Sequence, residues 1–409
     1  MMAARRSLVR ALMLAFVSTA ASLPAHAQTA PAKPATAQPA DQRFIAFLKG
    51  LWPRAEAHAV SRATFDAAIT GLTPDPALMG NGTKQPEFER TIKDYLDGAV
   101  SAGRVGRGRA AAERYAGQLR EVERRYGVPK EIVLAVWGME TDFGQAKGEK
   151  DVLRSLATLA YARKDETFAE EFASALEMVE RGHVARSQLK GSWAGAMGLP
   201  QFMPSAYLTY AVSYSGGGVP DIWTSVPDAL ASIAHFLREQ GWTPGRPWGA
   251  EVSLSPQFDW RTLTGSSRAL AGLGVAPVGG NGPLPASDQA TLFLPAGAGG
   301  PVLLLTENYW VIKQYNNSDS YAVAVAQLGE RIAGRPGLQA PWPRDFRLLA
   351  RNDRIRIQEA LRDRGLYDGK IDGRFGPASR DAIHRFQKSV GIIPADGFPS
   401  KAVLDRAMH

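Results

Sequence analysis

The stretch Gly127-Val128-Pro129-Lys130-Glu131-Ile132-Val133-Leu134-Ala135-Val136-Trp137-Gly138-Met139-Glu140-Thr141-Asp142-Phe143-Gly144 decides how the chain is read. Pro129 suits the first position of a helix and Gly144 suits its termination. Ile132 to Met139 are eight consecutive uncharged residues, so the helix is apolar on all sides and is expected to be buried. Glu140 follows at i+4 from Val136 and i+8 from Ile132, on a packed face. A carboxyl in apolar surroundings resists ionisation, because desolvation penalises its charged form. A general acid that donates a proton to a leaving oxygen near neutral pH needs that property. A helix-end glutamate that reaches solvent or pairs with an arginine is the plainer alternative.

A second stretch shifts the balance: Lys190-Gly191-Ser192-Trp193-Ala194-Gly195-Ala196-Met197-Gly198-Leu199-Pro200-Gln201-Phe202-Met203-Pro204-Ser205. Its small residues allow close backbone approach. Ser192 and Gln201 can hydrogen-bond sugar hydroxyls or acetamido groups, and Trp193, Met197 and Phe202 offer apolar faces to a ring.

The rest of the chain surrounds these two stretches. With 409 residues, 45% hydrophobic and 22% charged, it can bury more than one core. Arg5, Arg6 and Arg10 precede an apolar run, Ala11 to Leu23, that ends in Ala25-His26-Ala27, so residues 1–27 read as a secretory signal cleaved after Ala27. The run is shorter than the roughly 20 residues that span a bilayer, so no stable membrane anchor is expected. The chain has no cysteine, which excludes disulfides and a lipidated cysteine. Removal of the signal takes the formal charge from +8 to +5, a modest basic excess that suits anionic partners.

Residues 28–42 form a Pro/Ala-rich linker, with order expected from Phe44. Spacings such as Phe168-Phe172-Leu176-Val179 and Ala229-Ile233-Phe236-Leu237 predict a helical body to about Gly241. Short β-rich runs follow at Glu251–Leu254, Thr291–Leu294, Val302–Thr306 and Tyr309–Lys313. A closing helix spans Ser320–Ile332, residues 334–343 form a breaker-rich linker, and 344–409 make a separate small module. The fold class is mainly α (α+β). The arginine-dense segment 104–125 also carries Glu113, Glu121 and Glu123, so it reads as a solvated helix face and not as a nucleic-acid surface. His58, His183, His235, His384 and His409 lack ligand spacing, and neither a metal nor another cofactor is expected.

Residues 44–332 resemble the membrane-bound lytic transglycosylase B family, family 103 among glycoside hydrolases. The resemblance is carried by Gly138-Met139-Glu140-Thr141 with Phe143-Gly144, by the 191–205 stretch, and by Gln314-Tyr315-Asn316-Asn317-Ser318 followed by Tyr321. It implies a lysozyme-like helical catalytic domain at 43–333 with a small β part. It also implies periplasmic action on peptidoglycan glycan strands: non-hydrolytic cleavage of the β-1,4 bond between N-acetylmuramic acid and N-acetylglucosamine, leaving a 1,6-anhydromuramoyl end. Glu140 would be the sole acid and base, outside the usual two-carboxylate scheme. Ser192 and Asn316 match positions near the muramoyl sugar, and Gln201 and Phe202 match the cleft wall. Tyr95, Tyr315 and Tyr321 match cleft tyrosines, while Phe236 stands where relatives often carry tyrosine. Some relatives hold calcium in a loop after the Gln-Phe-Met-Pro-Ser motif. Here that loop has Ser213 and Gly217 at two expected acidic positions, leaving Asp221 and Asp228.

The tail resembles the small helical peptidoglycan-binding module of the first type, through Ile357-Gln358-Glu359-Ala360-Leu361, Gly365-Leu366-Tyr367-Asp368-Gly369, Ile371-Asp372-Gly373-Arg374-Phe375-Gly376-Pro377 and Ala382-Ile383-His384-Arg385-Phe386-Gln387. Ile357, Leu361, Ile383 and Phe386 are its expected core. Two rival readings stay open. One is a hydrolytic muramidase that recruits a second carboxylate such as Asp142 or Asp221, and the other is a wall-binding scaffold without activity.

Overall fold

A computed structural model describes residues 39–80, 90–279, 282–344 and 346–409. The export signal and most of the 28–42 linker lie outside these residues. The first helix, Pro39–Gly50, begins five residues before the expected onset of order. No helix among the described residues is long and apolar enough to cross a membrane.

The described residues form two compact units. One holds the helical body up to Gln240 together with 314–317; the other holds 90–101, 241–313 and 318–409. At the centre of the first is the helix Lys130–Thr141, in which every residue from Ile132 to Thr141 is buried. Helices Ala102–Arg114, Ala116–Tyr126 and Val226–Glu239 pack around it. Pro129 is the N-cap and Asp142 is the C-cap, so the helix stops two residues before Gly144. Asp142 takes the left-handed conformation that glycine was expected to supply. Elsewhere in this unit, the helix Glu166–Glu180 packs against Trp52–Ala57 and Arg62–Ile69, and Glu170 and Glu177 each contact the His58 ring at 2.7 Å. A two-residue ladder, β1 (Lys150–Asp151) with β2 (Lys190–Gly191), supports the second sequence stretch.

In the second unit an antiparallel sheet is built from β3 (Gly249–Leu254), β4 (Thr264–Gly265), β5 (Val275–Pro277), β6 (Ala290–Phe293) and β7 (Val302–Leu305), in the order β4-β6-β7-β3-β5. Central β7 is buried along its length. Phe258, Leu270, Val275, Leu292 and Leu304 form the core of this sheet. The expected strand Tyr309–Lys313 is instead part of the helix Glu307–Tyr315. Tyr-Trp-Val-Ile favours strands by composition, but the burial repeats at helical spacing, with Tyr309, Ile312 and Tyr315 inside and Trp310 and Gln314 exposed. The closing helix spans Asp319–Ile332 and packs on Ile92–Ala99.

The C-terminal module buries Ile357, Leu361, Ile383 and Phe386 as expected. Its sequence hides a repeated lock. Gln358 accepts the Gly373 N–H at 2.7 Å, and Gln387 accepts the Gly397 N–H at 2.8 Å. In each case the preceding aspartate, Asp372 or Asp396, accepts an N–H two residues on. Asp396 also accepts the Ala298 N–H at 2.8 Å, which joins the module to the turn after β6. The Phe346 and Phe398 rings lie 6.1 Å apart. Residues 334–343 have no regular secondary structure after Gly334, but Gln339 and Ala340 donate to Glu251 at 2.7 and 2.8 Å, tying the connection to β3.

The approach at Gly297 is too close for a side chain. Its φ is +71°, and a Cβ there would lie 2.9 Å from Asp396 Oδ2 and 3.0 Å from the Phe398 ring. Gly297→Leu should therefore lower stability by about 1–3 kcal/mol and open residues 334–349 to limited proteolysis. Proteolysis and Tm equal to the parent would mean that the module does not rest on the β6 turn in solution.

Candidate functional site

Glu140 lies in the last turn of the buried helix and is 1% exposed. Burial and the charge of Glu140 push the phenol of Tyr315 well above the ordinary tyrosine range. Tyr315 is fully buried and donates to the Pro200 carbonyl at 2.7 Å, tying the 314–317 segment to the 191–205 stretch. Beside it Asn316 is 4% exposed, and its side-chain amide nitrogen is buried without a hydrogen-bond partner among the described residues. A buried donor of that kind is costly unless something binds it.

The 191–205 stretch is a set of tight turns. Ser192 donates its N–H to the Ala196 carbonyl at 2.7 Å, and its hydroxyl oxygen accepts the Ala194 and Ala196 N–H groups. Gly198, at φ +66°, presses on Ile222, where an added Cβ would lie 2.5 Å from the carbonyl oxygen. Gln201 has φ +50° and is 2% exposed. Its amide donates to the carbonyls of Lys147 at 3.0 Å and Gly198 at 2.8 Å. Two carbonyl partners fix which end of the amide is nitrogen, so both donors hold the loop and only the oxygen is left to accept from a ligand. Phe202, Phe236 and Tyr315 form one ring cluster with centroids 4.9 to 6.1 Å apart, and Tyr210 packs on Phe236 at 4.9 Å. All three cluster members are at most 1% exposed.

Glu140, Ser192, Gln201, Phe202, Phe236, Tyr315 and Asn316 thus belong to one unit. Tyr95 and Tyr321 belong to the other, buried on the paired helices Ile92–Ala99 and Asp319–Ile332.

Sequence reasoning missed three supports. Thr141 donates from its hydroxyl to the Leu199 carbonyl at 3.0 Å and accepts the Gly144 N–H at 3.2 Å, joining the helix end to the loop. Asp142, Phe143 and Gly144 all have positive φ. Arg107 holds this turn through a bidentate pair with Asp142 at 2.7 and 2.8 Å, assisted by Arg104 at 3.3 Å. Arg104 is 9% exposed, so part of the arginine-rich segment faces inward and is not a solvated face. Glu171, 8% exposed, accepts both the N–H and the hydroxyl of Ser205 at 2.9 and 2.6 Å. Burial pushes its carboxyl up and the Ser205 bonds offset only part of that rise. No single-sequence motif marks Glu171, because a buried carboxylate on a helix looks like an exposed one.

Three other carboxylates near these elements are engaged. Asp142 is held by the arginines. Asp221 accepts the Trp223 and Thr224 N–H groups at 2.9 Å, and although burial raises its carboxyl, bonds from Thr224 and Trp223 bring it below the usual range. Asp228 accepts the Tyr214 N–H at 3.0 Å and the Asp221 N–H at 2.9 Å, one on each oxygen. Among the described residues no group of three or more His, Asp or Glu is placed to hold a metal ion.

Comparison with known proteins gives this geometry its context. Residues 43–330 match the transglycosylase SLT domain family, and residues 350–406 match the putative peptidoglycan binding domain family. Over 216 residues the chain is 38% identical to the membrane-bound lytic murein transglycosylase B of Escherichia coli K12, a match covering 51% of this chain and 58% of that protein. It thus spans little more than half the length of that relative. The structure is similar to that of SltB3 from Pseudomonas aeruginosa in complex with NAG-anhNAM-pentapeptide, at 41% identity and a TM-score of 0.82, covering 90% of this chain and 99% of that one. It is also similar to the Escherichia coli lytic transglycosylase Slt35 in complex with calcium, at 30% identity and a TM-score of 0.60, covering 72% and 93% of the two chains. With a buried glutamate ending an apolar helix, a glycine-rich loop braced against it, and a family match over most of its length, the chain belongs to the SLT transglycosylase family and carries a peptidoglycan-binding domain at its C-terminus.

Proposed function

We propose that the protein is a lytic transglycosylase that cleaves the β-1,4 bond between N-acetylmuramic acid and N-acetylglucosamine in peptidoglycan. The observation that carries this reading is the state of the carboxylates. Glu140 is buried at the end of an apolar helix, whereas Asp142 and Asp221 are occupied by structural bonds. A hydrolytic muramidase that recruits Asp142 or Asp221 as its second carboxylate is disfavoured by that arrangement.

In the proposed reaction the Glu140 carboxyl donates its proton to the bridging oxygen as the bond from C1 breaks. The 2-acetamido group of the substrate stabilises the cationic centre. The Glu140 carboxylate then takes the proton of the C6 hydroxyl, whose oxygen attacks C1 and closes the 1,6-anhydro ring. No water is consumed, so the new end is one water lighter than a hydrolysed one. Asn316 and Ser192 are proposed to hydrogen-bond the muramoyl sugar, with the Gln201 carbonyl as a further acceptor. Phe202, Phe236 and Tyr315 support these groups from behind, since their rings are buried. Tyr95 and Tyr321 are proposed as substrate contacts on the resemblance alone.

The same reading places the protein in the periplasm, exported by the segment 1–27, with 43–333 as the catalytic domain, 334–343 as the connection and 344–409 as the wall-binding domain. A bound scaffold without activity would have no use for a carboxyl kept dry at the helix end. Neither a cofactor nor a metal enters the proposed reaction.

Glu140→Gln keeps the shape of the side chain but cannot cycle a proton. Turnover of purified sacculi should fall ~10⁴-fold or more, with Tm and glycan binding close to the parent; turnover within tenfold of the parent would remove Glu140 from this role.

The loop after Ser205 should not bind calcium, because backbone N–H groups occupy both Asp228 oxygens and the ion needs roughly six to eight oxygen ligands. Calorimetric titration of EDTA-treated protein should show no site tighter than millimolar. A stoichiometric site lost on Asp228→Ala would contradict this.

A further inference from the structure

A pocket of about 390 Å³ opens in the helical unit beside the helix Lys130–Thr141, and none of the groups assigned above to the sugar lines it. Its size falls within the range of small-ligand sites. Arg107, Arg114 and Lys147 line it together with the rings of Tyr115, Trp137 and Phe143, and no carboxylate lines it among the described residues. From outside the lining Asp142 partly neutralises Arg107 and Asp221 partly neutralises Lys147, while three cations line the pocket, of which Arg114 adds its charge at the rim.

Three further observations mark this pocket as a built site. The rings are set edge to face, Tyr115 on Trp137 at 5.9 Å and Trp137 on Phe143 at 5.4 Å, which fixes the wall. Trp137 is 3% exposed, yet its indole N–H is buried without a hydrogen-bond partner among the described residues. Phe143 is presented from the positive-φ turn, a conformation that non-glycine residues keep only where surrounding bonds enforce it. Trp137 and Phe143 each lie three residues from Glu140, so the pocket flanks the position of the proposed proton donor along the chain.

We propose that this pocket binds a carboxylate of the peptide stem carried by the glycan strand. The inference rests on the peptidoglycan reading above and adds a second recognition element to it. A lining with three cations and no carboxylate favours an anion, and a sugar hydroxyl would not need them. Aromatic walls suit the methyl and methylene groups of a short peptide. Arg114 sits at the exposed rim, where it can pair with a carboxylate without a role in holding the fold.

The test compares Arg114→Glu with the parent on two substrates: glycan strands with intact stem peptides and the same strands stripped of peptide by an amidase. Loss of one charge-assisted contact should raise KM on peptide-bearing strands about tenfold, with kcat unchanged, and leave both constants unchanged on stripped strands. Arg114→Lys should restore most of the difference, and high salt should narrow the parent's preference. Equal changes on both substrates, or none on either, would overturn the proposal. Should the parent release no anhydro ends from either substrate, the activity reading fails first. The pocket is then judged by calorimetric titration of a muramyl pentapeptide: weakening by Arg114→Glu supports it, and equal affinity refutes it.

Discussion

Everything around the site depends on one constraint, the burial of the Glu140 carboxyl at the end of a helix with no exposed face. A carboxyl removed from water must be held in an environment that tolerates both its acid and its anionic form, or the fold would move to solvate it. The elements that meet at this helix end are braced by hydrogen bonds from neutral side chains to backbone carbonyls. Thr141 fastens the helix end to the Leu199 carbonyl, Tyr315 fastens the 314–317 segment to Pro200, and Gln201 fastens its own loop to Lys147 and Gly198. Each of these bonds holds a wall in place through uncharged groups.

Charged side chains hold the flanking turns. Arg104 and Arg107 hold Asp142 in the left-handed conformation that ends the helix, and Glu171 holds Ser205 at the start of the helix Pro204–Tyr210. Both acids could serve a reaction on chemical grounds, but their bonds to neighbouring donors assign them to the scaffold. Backbone strain is concentrated at Asp142, Phe143 and Gln201, the positions where the two sequence stretches meet their supports. Strain at such points is tolerated because hydrogen bonds fix Asp142 and Gln201 and ring packing on Trp137 holds Phe143.

The apolar helix, the tight glycine loop and the core of the terminal module were legible in the sequence, because each rests on a pattern that a single segment displays. Ile357, Leu361, Ile383 and Phe386 follow from helical spacing, and Glu140 from the uncharged run before it. Tyr309–Lys313 was misread as strand because its residue types favour strands, while its burial repeats at three and four residues. The Gly144 stop was displaced because Asp142 gains two arginine partners that are distant in sequence. The donors of Gln201, the anchoring of Ser205 and the contact between Asp396 and Ala298 are also long-range choices. Sequence shows that such side chains can hydrogen-bond, and only the fold decides to what.

The central claim is that a single buried carboxyl passes one proton out and one proton back without admitting water to the broken bond. Cleavage of purified peptidoglycan in water enriched in heavy oxygen tests this most directly. The account predicts muramoyl ends formed by the enzyme that carry no heavy oxygen. Incorporation of one heavy oxygen at each new end would show that water attacks C1, and the account would be contradicted.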